Sequence, residues 1–154
     1  MKKLSTIIFL FIFFTSFQCF SQNISEQITF TSSNPFSFND VITNFDNLEK
    51  QEVFGELVIP HDSLNPQKKF PLIIGVAGSL GWKSHHLEYL KMYQDLGFAT
   101  FELKSFKSRD IESTVGEQSQ VTTAAMIVDA YKALEQLSMH PLINKDKVSI
   151  TGWS

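Results

Sequence analysis

Residues 129–154 read DAYKALEQLSMHPLINKDKVSITGWS, a helical pattern followed by a turn and a strand. Apolar residues recur here and just upstream at helical spacing: Ala124, Ile127, Val128, Tyr131, Leu134 and Leu137. This spacing predicts an amphipathic helix, which His140-Pro141 closes. Residues 147–151 (KVSIT) then predict a short strand that delivers Gly152-Trp153-Ser154.

Two further strands and another helix precede this stretch. Residues 70–76 (FPLIIGV) form a continuous apolar run, as expected for a strand buried on both faces. Residues 98–103 (FATFEL) predict the next strand. The helix between them is indicated by residues at i, i+3, i+4 and i+7, namely Tyr89, Met92, Tyr93 and Leu96. The alternation predicts an α/β fold, a mostly parallel sheet with helices on both faces.

The chain before residue 70 is organised in three parts. Residues 1–21 resemble a secretory signal peptide, with Lys2 and Lys3 before the apolar run IIFLFIFF at 7–14. That run is too short to span a bilayer as a helix, so we expect cleavage after Ser21 and a secreted or periplasmic protein. Residues 22–50 predict an irregular, polar lead-in with at most a short strand at 28–31, and residues 52–60 predict a strand.

Composition and charge indicate a globular protein and argue against nucleic-acid binding. The 154 residues are 43% hydrophobic and 19% charged, which is typical of a globular protein. With 13 basic and 16 acidic side chains there is no cationic excess, which argues against nucleic acid as a partner. The single cysteine, Cys19, allows no intramolecular disulfide. Attachment of a lipid at Cys19 is the alternative to simple cleavage, but the bulky Phe17 and Gln18 before it fit a lipoprotein signal badly.

Two motifs carry chemistry. The Gly152-Trp153-Ser154 sequence at the end of a strand is half of the nucleophile elbow G-x-S-x-G. In that strand-to-helix turn the serine stands clear of the sheet, where exposed N–H groups stabilise a developing oxyanion. The second motif is the glycine loop, Gly78-Ser79-Leu80-Gly81, which follows the apolar strand. It predicts either a supplier of an oxyanion-hole N–H or a simple turn, and it lacks the pattern of a phosphate-binding loop.

From about residue 55 to 154 the chain resembles the dienelactone hydrolase-like branch of the α/β-hydrolases. The matching stretches are GELVIP (55–60), LIIGVAGSLGW (72–82), SFKSR (105–109) and the 129–154 segment quoted above. The resemblance departs from the family at Ala77, where a histidine is usual, and at Lys104, where an acid is common. It implies an α/β-hydrolase fold of which only the first half, residues 51–154, is present.

The resemblance also implies a function. Ser154 is expected to attack an ester, or another acyl bond, with the oxyanion held by the backbone N–H of Ser79 and that of the residue after Ser154. The catalytic Asp and His are expected beyond residue 154, so we expect this chain alone to fold poorly and to be inactive. A peptidase on the same fold, or a binding protein that has lost catalysis, are the alternatives. The expected partner is a small ester or acyl substrate; no cofactor is needed, and no membrane contact is expected after signal cleavage.

Other side chains are weaker candidates. Arg109 is predicted either to bind a substrate carboxylate or to brace its loop, and Trp82 either to line the pocket or to pack on a helix. His85 and His86 begin a helix, where we expect solvent-facing or capping roles. Without a third ligand at suitable spacing they do not predict a metal site.

Overall fold

The computed structural model describes residues 23–154, so the predicted signal peptide and Cys19 lie outside the described residues. The helices and strands, in chain order, are β1 (Ile24–Ser33), α1 (Phe38–Thr43), β2 (Lys50–Ile59), β3 (Phe70–Val76), α2 (Ser84–Asp95), β4 (Ala99–Leu103), α3 (Thr123–Leu137) and β5 (Ile143–Gly152). Short 3₁₀ turns lie at Phe45–Asn47 and Lys107–Arg109.

The five strands form one mixed sheet in the order β1-β2-β4-β3-β5. Strands β4, β3 and β5 are parallel, whereas β2 runs antiparallel to both β1 and β4. The predicted strand at 70–76 is confirmed with the same bounds, and the predicted strands at 52–60, 98–103 and 147–151 are confirmed with bounds shifted by one to four residues.

The helices cover both faces of the sheet, as predicted. On one face, Leu72 and Ile74 of β3 belong to the main core together with Ala133 and Leu137 of α3. On the other face, Gly75 lies close to Leu90 of α2. Because alternate residues of a strand point to opposite faces, a strand covered on both sides must be apolar throughout, which explains the uninterrupted FPLIIGV run.

The prediction of an irregular lead-in is wrong in part. Strand β1 has ten residues and pairs with β2 along its whole length, from Ile24 opposite Ile59 to Ser33 opposite Lys50. Its polar composition hides it, because an edge strand is held by backbone hydrogen bonds and needs few apolar residues. Helix α1 has only six residues, too few to show a period, but Ser37 and Asp40 form a capping box at its start.

The topology brings three connections to one edge of the sheet. The glycine loop follows β3, the segment at 104–112 follows β4, and Trp153-Ser154 follows β5. Since parallel strands end at the same edge, all three connections meet there, at the place where α/β sheets usually bind ligands. None of the helices within residues 23–154 is long and apolar enough to cross a membrane.

Candidate active site

Strand β5 carries Ser154 to the edge of the sheet beside β3. The register pairs Gly75 with Thr151 and Val76 with Gly152, and one residue further the Trp153 N–H donates to the Val76 carbonyl at 3.1 Å. Ser154 follows immediately and is exposed. The hydrogen bond at Trp153 therefore keeps the backbone next to Ser154 against the end of β3.

The glycine loop lies directly against this backbone. A Cβ atom placed on Gly78 would lie 2.4 Å from the Trp153 carbonyl oxygen and 3.0 Å from Ser154 Cα. Only glycine permits this approach, because any side chain would overlap main-chain atoms. At the other end of the loop, Gly81 has φ +72° and its N–H donates to the Gly78 carbonyl at 2.8 Å, which closes a tight turn.

The long loop after β4 braces the glycine loop at Ser79. The Ser79 carbonyl accepts from Thr114 N at 2.8 Å and from Ser113 Oγ at 3.0 Å. Among residues 23–154 no loop hydrogen bond joins the Ser79 N–H to a backbone carbonyl. The structure thus places Gly78, the neighbour of Ser79, against the Ser154 backbone, and leaves the Ser79 N–H without a backbone acceptor among the described loops.

Aromatic rings pack against Trp153, the residue before Ser154, on the side of α2. The ring centroid of Trp153 lies 5.5 Å from that of Trp82 and 5.2 Å from that of His86, on which it stacks. Trp82 is held by its Nε1–H, which donates to the Leu103 carbonyl at 2.8 Å. Trp82 also packs edge-on against His86 of α2, with ring centroids 5.9 Å apart, and lines the cavity described below, so the two alternatives from the sequence do not exclude each other.

His86 is buried, whereas His85 is exposed. The His86 Nδ1 accepts from Lys83 N at 3.2 Å, so this residue has the predicted capping role at the start of α2. Burial lowers the pKa of the His86 imidazole below its ordinary value of 6.5, and the nearby charges of His85 and Lys83 lower it further. Nothing in the sequence pattern marks this burial.

The lowered pKa of His86 predicts a loss of stability on acidification. The unfolded chain takes up a proton at this histidine near pH 6.5, whereas the folded protein resists protonation, so stability is expected to fall as the pH drops below about 6.5. A His86→Gln variant, which keeps a polar side chain at the capping position, is expected to show a flatter decline in melting temperature between pH 7 and pH 5. His85→Gln serves as the comparison: it removes only the smaller contribution of the neighbouring charge, so its decline should stay steeper than that of His86→Gln. Equal slopes for both variants would contradict the expectation.

Arg109 braces three segments of the chain. Its side chain is 7% exposed and pairs with Asp129, with N–O distances of 2.7 and 3.1 Å. The remaining N–H groups donate to Asn34 Oδ1 and to the carbonyls of Ser105 and Ser33. All five guanidinium donors are thus used within the described residues, which favours the predicted bracing role over substrate binding.

A cavity of about 370 Å³ lies at the same edge of the sheet. One side of the cavity is formed by residues that follow β3, namely Ala77, Leu80 and Gly81. Another side is formed by the segment at 103–107 together with Ile111 and Glu112. The lining includes residues of the glycine loop, and Gly78 of the same loop lies against the Ser154 backbone, although Gly78 and Ser154 do not themselves line the cavity. The described part of the chain contains no cluster of three or more His, Cys, Asp or Glu side chains suited to a metal ion.

The chain matches known proteins in three-dimensional structure. No family model and no curated protein matches the chain. A structure of fungal esterases from Rhizomucor miehei matches with TM-score 0.53 and 14% identity, over 85% of this chain and 34% of that one. A protein from Klebsiella pneumoniae assigned as a dienelactone hydrolase matches with TM-score 0.50 and 13% identity, over 83% and 50%. One from Bacteroides ovatus assigned as a dipeptidyl aminopeptidase IV matches with TM-score 0.54 and 16% identity, over 88% and 18%.

The sheet order, the covered faces and these matches define the class of protein: the chain has the α/β-hydrolase fold. One of the matching structures, that from Klebsiella pneumoniae, is assigned to the family that residues 55–154 resemble. The chain spans about half the length of the dienelactone hydrolase structures that it matches.

Proposed function

We propose that this chain is the nucleophile-bearing part of a secreted serine hydrolase that cleaves esters through an acyl-enzyme at Ser154. The observation that carries the proposal is the contact of Gly78 with the Trp153-Ser154 backbone. It supports the proposal because a serine that ends a strand, next to a loop with a main-chain donor, is the arrangement that acyl transfer requires.

The proposed reaction has two stages. The Ser154 hydroxyl oxygen attacks the ester carbonyl carbon while a histidine takes the hydroxyl proton; that proton then passes to the leaving alcohol as the C–O bond breaks. Water, deprotonated by the same histidine, attacks the acyl group, and the acid departs with restoration of Ser154. The Ser79 N–H and that of the residue after Ser154 stabilise the oxyanion in both stages.

The histidine and its carboxylate partner are proposed to follow Ser154 in a longer protein, in the chain order usual for this fold. The proposal is supported by the share of the matched structures that this chain covers, which is about half of the Klebsiella pneumoniae structure. No cofactor takes part. Removal of residues 1–21 as a signal peptide is part of the same proposal, and the N-terminal sequence of the extracellular protein tests it.

Labelling with a fluorophosphonate tests the activated serine. The secreted fraction of the natural host is treated with the probe, separated on a gel and analysed by peptide identification, with a heat-denatured sample as the control. We expect a labelled band that contains peptides of this chain, has a mass well above that of the chain and carries the adduct on Ser154. An unlabelled band that contains peptides of this chain would contradict the proposal and favour a binding protein on a hydrolase scaffold.

Matched ester and amide substrates separate an esterase from a peptidase. Both activities use the same serine, so labelling does not distinguish them. We expect hydrolysis of the ester of a given acyl group and little hydrolysis of its amide; the reverse preference would favour the peptidase alternative.

A further inference from the structure

The cavity next to the glycine loop has walls that are slightly more apolar than polar. The apolar part includes Val76, Leu80, Trp82, Leu103, Phe106, Ile111 and Met126. Its volume of about 370 Å³ is within the ordinary range for small-molecule sites and corresponds to about a dozen water-sized groups. A pocket of this kind takes an apolar group and orients it with a few polar contacts.

Ser105 is the unexplained polar group of this pocket. It lines the cavity and is 5% exposed, and its hydroxyl oxygen is itself buried and has no hydrogen-bond partner among residues 23–154. Within residues 23–154 this hydroxyl oxygen is the only buried side-chain polar atom without a hydrogen-bond partner. A buried hydroxyl without a partner destabilises the folded protein, so its presence requires an explanation.

Ser105 is the only buried residue among the polar ones that line the cavity, which also include the exposed Glu112. The Ser105 carbonyl accepts from Arg109, which fixes the backbone at this position. The ammonium group of the neighbouring Lys104 is ion-paired with Glu102, and Lys83 and Lys107 are exposed. Serine χ1 has three staggered positions, so the hydroxyl can turn towards a ligand without backbone movement.

We infer that Ser105 determines substrate specificity, and that the cavity binds an apolar, ring-sized substituent that carries one hydrogen-bonding oxygen. The inference rests on the proposed function, because it assigns this substituent to the ester cleaved at Ser154. A pocket with one buried donor selects strongly for an oxygen at that place, since a ligand without it leaves the donor unpaired. The substrate class is therefore an ester whose acyl or alcohol part is a hydrophobic ring system with a carbonyl, hydroxyl or ether oxygen.

Binding of two simple probes tests the inference without catalysis. Acetophenone and ethylbenzene have similar shapes, and only acetophenone has an acceptor oxygen. Their dissociation constants are measured on the full-length protein by NMR shifts, with Trp82 fluorescence as a second signal. We expect the ratio of the two constants to change by about 3- to 10-fold in Ser105→Ala, in the direction of weaker acetophenone binding. Ser105→Thr, which keeps a hydroxyl, and Ser119→Ala, an exposed serine outside the cavity, should leave the ratio unchanged.

Stability provides a second, independent outcome. Because Ser105 Oγ has no partner within residues 23–154, Ser105→Ala is expected to melt at the same temperature as the unmodified protein or higher. A clear drop in melting temperature would show that the Ser105 hydroxyl has a structural partner and would overturn the inference. An unchanged ratio of the two dissociation constants would also overturn it, and is the result expected if Ser105 holds only a buried water. Neither measurement involves Ser154, so failure of the labelling experiment and failure of this one are distinguishable.

Discussion

Replacement of Asp129 by alanine is expected to lower the free energy of unfolding by about 3–5 kcal/mol. Asp129 is fully buried in α3 and accepts from two nitrogens of Arg109 and from Ser32 Oγ. Its loss leaves the nearly buried Arg109 guanidinium without a counter-charge, and a buried unpaired charge is far more costly than the pair is stabilising. Urea denaturation followed by circular dichroism measures the change.

The matched control is an exposed ion pair in the same protein. Lys91 and Asp95 pair at 2.9 Å on α2 with side chains 70% and 63% exposed, so Lys91→Ala is expected to change stability by no more than about 0.5 kcal/mol. A double variant, Arg109→Met with Asp129→Leu, should be more stable than Asp129→Ala, because it removes both charges together. A loss below about 1 kcal/mol in Asp129→Ala would show that the pair does not hold β1, the loop after β4 and α3 together.

Replacement of Gly78 by alanine is expected to reduce the rate of fluorophosphonate labelling at Ser154 by about 100-fold. The added Cβ would lie 2.4 Å from the Trp153 carbonyl oxygen, which is main chain and cannot rotate away. The glycine loop and the backbone at Trp153-Ser154 must therefore move apart, and displacement of the proposed nucleophile, Ser154, by about 1 Å is enough for a loss of this size.

Val115→Ala is the control for this experiment, since Val115 is exposed and lies in the loop that braces Ser79. Its labelling rate should match that of the unmodified protein. Circular dichroism separates a displaced elbow from a general loss of fold. A folded Gly78→Ala variant that labels within a few-fold of the unmodified rate would mean that the contact does not position Ser154.

The sequence alone determined the α/β alternation, the apolar strand β3 and the pairing of a Gly-x-Ser turn with a glycine loop. These features are local, because hydrophobic periodicity and glycine placement are properties of neighbouring residues. The full length of β1 was not predictable, since its polar residues are held by pairing with β2 and not by their own pattern.

Only the tertiary structure decided the roles of Arg109, His86 and Ser105. Arg109 meets Asp129 across 20 residues of sequence and Asn34 across 75, so the bracing role depends on how three distant segments pack. The burial of His86 and the unpartnered hydroxyl of Ser105 likewise depend on which chain segments lie nearby. Hydrogen bonding and desolvation act between atoms that are close in space, and such proximity is a property of the fold that a linear pattern does not record.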